Sequence, residues 1–485
     1  MENSILKLKP QLLWKHFYQL TQIPRPTFHE EKVQQYLVNF AKEHGLECKV
    51  LKKGNVYLRK EATPGMEDRE GLIFQAHQDM VAQCNKDVKF DFLKDPLNVV
   101  VENGRVRALG TTLGADNGIG LAAGLAIMED DSIKHGPIEA LFTVSEETGM
   151  VGAFNLEPAV MKGNILLNLD TETFGELCIG CAGAADASAT FTYKTIPAPK
   201  QGYVSYSLFV HGLQGGHSGL NIVNQRANAI KLLFRFLYHT KIEILVANID
   251  GGGLRNAIPR EITAEVLIPK ANEKKFLNEV KKYETLLVEE FKGIEPKILM
   301  DATKIAPLKK YIPQYTISLL TRAILAVPSG VEKMSNDIAG LVETSNNLAR
   351  VLSKRGRIIV HCMLRGSQRS GKIALAEKIK AIFEMAGAKI VISGSYDGWN
   401  PNIDSKILKT CCETFKRMYK KDAAVIAVHA GLECGIINGK YPNLDMISFG
   451  PTITEPHTPS ESVDIASVEL FYEFLTEIVE NAPKK

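Results

Sequence analysis

Imidazoles and carboxylates stand at the ends of apolar runs along this chain. LIFQA is followed by His77-Gln-Asp79, IEALFTVS by Glu146-Glu147, and ILLNL by Asp170. DMISFGPTITEP leads to His457, and Asp116 sits in LGADNG at the start of a helix. Taken singly, each reads as a surface turn residue or a satisfied core group. As a set they carry a stronger message, because ligands of open α/β sheets bind beyond the carboxyl ends of the strands. Converging strand ends would bring several carboxylates together, and like charges in a partly desolvated place need a cation or a proton. Two divalent cations bring four positive charges against three ligand carboxylates, which leaves one positive charge to stabilise a hydroxide.

The elements that must position these groups are legible in outline. Apolar runs bounded by turn residues at Leu72–Ala76, Ile138–Val144, Ile165–Leu169 and Met446–Phe449 read as buried strands. Helical stretches such as Asn117–Met128 lie between some of them, and this alternation predicts an α/β sheet with covering helices. A helix is expected to begin near Thr27, where Thr27-x-x-Glu30 has the form of a capping box. Val33, Leu37, Phe40 and Ala41 share one face of it. From about Lys194 to Ile392 the pattern changes to alternating segments (YVSYSLFV, ITAEVLI, IIVHCML) with amphipathic helices between them, one of them over Ala374–Ala386. That is an α+β layer. The final helix, with Val468, Phe471, Leu475 and Ile478 on one face, returns to the character of the first part. The sequence therefore predicts an α/β, mixed-sheet catalytic domain over 1–193 and 393–485, interrupted by an α+β lid over 194–392.

Composition narrows the function classes. The 485 residues are 45% hydrophobic and 23% charged, the profile of a globular chain too long for one ordinary domain. A formal net charge of +3 without a basic cluster argues against a nucleic-acid surface. The N-terminus has no apolar h-region, and the longest nearly apolar stretch, Gly118–Met128, is too short for a bilayer, so a cytoplasmic, membrane-free protein is expected. Eight cysteines in so long a chain do not make a disulfide scaffold. The lone C-x-x-C of Cys178 and Cys181 has no second half, and buried thiols are the expectation.

His77-Gln-Asp79, Gly114-Ala-Asp116-Asn117, Ser145-Glu146-Glu147, Leu169-Asp170 and His457-Thr-Pro resemble, in order, the motifs of the co-catalytic di-zinc metallopeptidases. That superfamily includes aminoacylases, glutamate carboxypeptidases and carnosinases. Gly215-Gly-His217-Ser-Gly, His429-Ala-Gly-Leu-Glu-Cys-Gly and Ser448-Phe-Gly-Pro are similar to its aminoacyl-histidine dipeptidase branch, which cleaves Xaa-His dipeptides such as β-alanyl-histidine. The resemblance implies two zinc ions, with Asp116 bridging them, His77 and Asp170 on one, and Glu147 and His457 on the other. It makes Asp79 the partner of the second nitrogen of His77, and Glu146 the general base as a metal-bridging hydroxide attacks the peptide carbonyl. Adjacent carboxylates on an extended segment point to opposite sides, which suits one ligand and one base. His217 resembles the family's oxyanion-stabilising histidine, and Asn256 and Arg365 its substrate-holding groups, with Arg365 suited to a terminal carboxylate. Manganese or cobalt suits the same ligands, and a homodimer through the lid follows from the family precedent. His429 and Glu433 lie in a matching phrase without an assignable role. Asp397, near the return from the lid, and Glu455, just before His457, depart from the pattern, and the second, a negative charge close to a ligand, touches substrate preference more than metal binding.

Three other readings stand beside this one. An aminoacylase-type amidohydrolase or carboxypeptidase of the same superfamily would use the same metals. A metal-free binding protein on the same scaffold would not need every ligand and the base. Gly118-Ile-Gly120-Leu-Ala-Ala-Gly124 loosely looks like a dinucleotide loop, but its spacing is G-x-G-x-x-x-G and the acidic partner is missing. Close packing of a helix on a sheet explains those glycines better.

Overall fold

The computed structural model of the chain describes residues 4–336 and 338–485. They fall into two compact units. The first comprises Met1–Gly180, Trp399–Ala427 and Leu432–Lys485, and the second Cys181–Gly398 with Val428–Gly431.

The first unit is built on an eight-stranded mixed sheet in the order Glu47–Val50, Val56–Lys60, Ile138–Thr143, Leu72–His77, Ile165–Asn168, Asp445–Ser448, Glu176–Cys181, Ala424–Val428. The four central strands from Ile138–Thr143 to Asp445–Ser448 run parallel. Antiparallel strands flank them. Almost wholly buried, the central strands are mostly apolar, which is why length and flanking turns located them without any alternation. Parallel strands deliver all their carboxyl ends to one edge, and His77, Glu146, Asp170 and the chain leading to His457 leave from that edge.

Helix Ala115–Glu129 follows the Asp116 turn and is buried along nearly its whole length. Its glycines allow this. A Cβ on Gly120 would lie 2.5 Å from the carbonyl oxygen of Leu169 and would also strike the Asn117 side chain, while Gly124 faces Phe142 and Phe74. The glycine run is thus a packing surface rather than a phosphate cradle. The helix after Thr27 begins only at Glu31 and has no side-chain cap. Thr27 Oγ1 donates instead to Asp79 Oδ2 at 2.9 Å, and Glu30 Oε1 accepts from Ser145 N and Oγ at 2.8 and 2.7 Å. Buried polar partners from other segments outcompete the local box, because an unpaired buried acceptor costs more than an uncapped helix end. The last helix, Ile465–Glu480, buries Val468, Phe471, Leu475 and Ile478 as its periodicity predicts.

The second unit is an antiparallel sheet running from Leu299–Lys304 through Tyr203–His211, Ile262–Pro269, Leu245–Gly252, Val342–Lys354, Arg357–Gly366 and Gly183–Thr192 to Lys389–Tyr396, with Gly330–Met334 beside Val342–Lys354. Helices Ala229–His239, Glu273–Glu290, Gln314–Ala326 and Arg369–Met385 share one apolar core with it, centred on Leu208, Phe234, Ile249, Phe276, Val351 and Ile379. Strand Gly183–Thr192 precedes residue 194 in the chain, yet pairs on both sides within this sheet and belongs to this unit. All eight cysteines are free thiols, with Cys178 and Cys181 buried.

Gly120→Ala should lower stability by about 1–3 kcal/mol through overpacking against Leu169. Thermal denaturation checks this, and an unchanged Tm would contradict the close approach.

Candidate metal centre

The first unit draws His77, Asp116, Glu147, Asp170 and His457 together. His77 Nε2 lies 3.0 Å from Asp116 Oδ1 and 3.7 Å from Asp170 Oδ1. His457 Nε2 lies 3.0 Å from both Asp116 Oδ2 and Glu147 Oε2. Asp116 thus turns one oxygen to each of two histidine–carboxylate groups. Within each group, and in a third formed by His77, Glu146 and Glu147, the ligand-type atoms lie within 4.8 Å of one another. Glu147 Oε1 is buried with no hydrogen-bond partner, an acceptor that a cation would satisfy. Mixed imidazole and carboxylate donors of this kind suit zinc, manganese or cobalt.

The electrostatics agree with a cation site. Burial disfavours charge on His77, yet Asp116, Asp170 and Asp79 outweigh it and hold the imidazole protonated well above its usual range. Hydrogen bonds to Asp116 and Glu147 raise His457 to about 11. Burial lifts the Asp170 carboxyl well above the ordinary carboxylate range, and repulsion from Asp116, Glu433 and Glu172 adds to it. Glu146 is lifted in the same way by burial and by Asp170, Glu433 and Glu147. The site collects negative charge, and the two imidazoles serve as its counter-charges.

Each side chain is aimed by backbone that other residues grip. Asp79 was expected to hold the second nitrogen of His77 with its carboxylate. Its backbone carbonyl stands nearer, 3.0 Å from His77 Nδ1, with Oδ1 at 3.5 Å. The carboxylate is occupied with Glu146 N at 3.0 Å, Glu147 N at 3.3 Å and the Thr27 hydroxyl. It therefore orients the segment carrying both glutamates. Asn117 reaches across to the carbonyl of Leu169 and to Asp170 Oδ1.

Glu461 and Arg25, which belong to no motif in the sequence, hold the Asp116 turn. Glu461 accepts the backbone N–H groups of Leu113, Gly114, Ala115 and Asp116 at 2.7, 3.0, 2.7 and 3.3 Å. The fully buried Arg25 donates to the carbonyls of Gln78, Asp79 and Gly114 at 2.9, 3.0 and 2.5 Å. The Asp116 turn is held from its N–H side by an acid and from its carbonyl side by a base. The one available signal for Glu461 was its place four residues beyond His457. Nothing local marks Arg25.

In the second unit, His217 and Asn256 occupy adjoining turns. Ser218 N donates to Asn256 O at 2.8 Å, and Ile258 N to Gly216 O at 2.8 Å. Asn347 Nδ2 fixes the Asn256 turn by donating to Arg255 O and Ala257 O at 2.9 and 2.8 Å. His217 Nδ1 accepts from Gly219 N and Leu220 N at 3.2 and 3.1 Å. That leaves the tautomer with its proton on Nε2, and burial together with the positive Arg365 keeps the ring neutral. Arg365 is itself buried, with Nε unpartnered. Burial and Arg365 also lower His429 to about 3, and its Nε2 shares a 2.7 Å hydrogen bond with Ser345 Oγ.

Residues 73–481 match the model of Peptidase family M20/M25/M40. The chain is 38% identical over 485 residues to the cytosol non-specific dipeptidase of Escherichia coli (strain K12), covering all of both chains. It superposes on the aminoacylhistidine dipeptidase of Vibrio alginolyticus with a TM-score of 0.93 at 40% identity, covering 100% of this chain and 99% of that one. A tripeptidase from Staphylococcus aureus shares the fold at TM-score 0.57 and 16% identity, over 98% of this chain and 99% of that one. Fold and site define a metallopeptidase, a hydrolase of peptide bonds. The chain belongs to Peptidase family M20/M25/M40.

The His457 shift predicts a pH signature in chelator-treated protein. Its folded-state pKa, raised from 6.5 to about 11, gives stability that is fully present below pH 6.5 and is lost as pH rises through 11. The Tm difference between chelated wild type and His457→Ala should therefore shrink steadily from pH 7 to 11. A constant difference would mean that His457 does not face these carboxylates.

Proposed function

We propose that this metal-dependent dipeptidase takes Xaa-His dipeptides such as β-alanyl-histidine as substrates and works with two zinc ions. The observation that carries the reading is Asp116, which offers one carboxylate oxygen to each of two histidine–carboxylate groups. In this reading His77 and Asp170 hold one metal with Asp116, and Glu147 and His457 hold the other. When bound, the cations make water acidic near neutral pH and polarise the substrate carbonyl.

The chain's own groups do the rest. Glu146 takes a proton from water as its oxygen attacks the peptide carbonyl carbon, and delivers that proton to the leaving amine as the C–N bond breaks. Asp79 fixes Glu146 through the backbone N–H at 3.0 Å, so the base keeps its aim while changing protonation state. His217 presents Nε2–H as a donor for the developing oxyanion, a role its Nδ1 contacts support because they exclude the other tautomer. Arg365, with an unpartnered Nε, holds the substrate carboxylate, and Asn256 holds the peptide beside it.

The name of the Escherichia coli relative, cytosol non-specific dipeptidase, favours a dipeptide range wider than Xaa-His and a place in the cytosol. No helix among the described residues is long and apolar enough to cross a membrane. Assembly as a homodimer through the second unit belongs to the same reading, and light scattering checks it.

Side-by-side assays of β-Ala-His, Gly-His, an N-acetyl amino acid and a tripeptide should show turnover of the two dipeptides. Hydrolysis of the acylated amino acid alone would point to an aminoacylase instead. Glu146→Ala should cut kcat by about 10²–10⁴ while retaining both metals, since the base is not a ligand. Asp116→Ala should lose metal and activity together, as read by metal analysis of protein purified without chelator.

A further inference from the structure

Glu433 is a wholly buried carboxylate for which neither the metal ligands nor the substrate groups account. Burying such a group costs several kcal/mol unless partners compensate it, so the partners indicate what it does. Its Oε2 accepts from Gln75 Nε2 and from Thr143 Oγ1, each at 2.6 Å. Gln75 Oε1 in turn accepts from Asn168 Nδ2 at 2.5 Å, and Asn168 Oδ1 from the hydroxyl of Ser448. Ser448 Oγ is 2.7 Å from Thr171 Oγ1. A continuous line of side-chain hydrogen bonds thus crosses the four parallel strands at the centre of the sheet.

Its place in the register is what matters. Gln75 and Asn168 are direct partners on neighbouring strands, as are Asn168 and Ser448. Side chains two apart on a strand share a face. Gln75 therefore lies one pleat beneath His77, and Asn168 ends its strand two residues before Asp170. Thr143 is the strand partner of His77 and ends the strand that leads to Glu146 and Glu147. Ser448 ends the strand leading to His457. Metal–ligand distances stay within about 0.2 Å of their characteristic values, so strand ends that carry ligands must be held in place.

We propose that Glu433 is a positioning residue, which through Thr143, Gln75 and Asn168 fixes the strand ends carrying the metal-binding side chains. This rests on the metal assignment above. Groups that orient ligands in this way typically carry 10–100-fold in metal affinity or activity.

The test is zinc affinity of the full-length protein by chelator competition, with kcat at saturating zinc and circular dichroism to confirm the fold. Glu433→Ala should weaken binding of at least one zinc by about 10–100-fold and lower kcat with little change in KM. Glu433→Gln, which keeps an oxygen to accept from both donors, should stay within about threefold of wild type, well inside that range. Thr143→Val conserves shape and removes one donor, so it should weaken binding several-fold and decides the matter if Glu433→Ala does not fold. Folded Glu433→Ala or Thr143→Val protein with wild-type zinc affinity and kcat would overturn the proposal. So would Glu433→Gln as impaired as Glu433→Ala, since acceptor geometry would then be irrelevant. Wild-type protein that binds no zinc would instead refute the metal assignment.

Discussion

Carboxylates that repel one another are gathered into one buried place in the first unit, and much of the local structure exists to hold them there. Asp116, Glu147 and Asp170 approach two imidazoles, while Glu146, Glu172 and Glu433 add further acid around them. Burial and mutual repulsion lift Asp170 and Glu146 far above their usual range, and lift Glu172 and Glu433 to about 7. Such a cluster stores unfavourable energy until positive charge enters it. A cluster of this kind favours the entry of positive charge, and the fold supplies the restraint that keeps the acids together.

Backbone and buried polar contacts supply part of that restraint. Glu461 gathers four consecutive N–H groups of the Asp116 turn, and Arg25 ties the carbonyl of Gly114 to those of Gln78 and Asp79. Asp79 holds the amides of Glu146 and Glu147. The two strand-end loops that carry His77 and the glutamates are therefore one hydrogen-bonded body with the Asp116 turn. Fixing dipoles in advance in this way means that little reorganisation is needed when charge develops during reaction.

The second unit shows the same economy on a smaller scale. Asn347, on a central strand, grips the turn bearing Asn256, and that turn pairs with the one bearing His217. Two backbone amides donate to Nδ1 of His217, so the loop determines which ring nitrogen is left to donate. Arg365 and His429 are both buried, and burial together with the nearby guanidinium holds the imidazole far below its usual range.

Much of this was legible in the sequence, because strand patterning is local and ligand chemistry is carried by residue type. The buried strands at Leu72, Ile138, Ile165 and Met446 declare themselves as apolar runs between turns, and the acids and histidines follow them directly. The glycines after Asp116 signalled a close helix–sheet approach. Local rules also misled. Thr27 and Glu30 have the form of a capping box, yet both are drawn away to Asp79 and Ser145 by partners 52 and 115 residues distant. Glu461 and Arg25 were invisible for the same reason: a glutamate 347 residues from Gly114, or an arginine between two prolines, looks like any solvated charge until the chain is folded. The sequence by itself therefore determined which acids and histidines stand at the strand ends, since that depends on residue type and strand period. The tertiary structure alone decided which buried charges hold the Asp116 turn, since those contacts join segments hundreds of residues apart and leave no periodic trace.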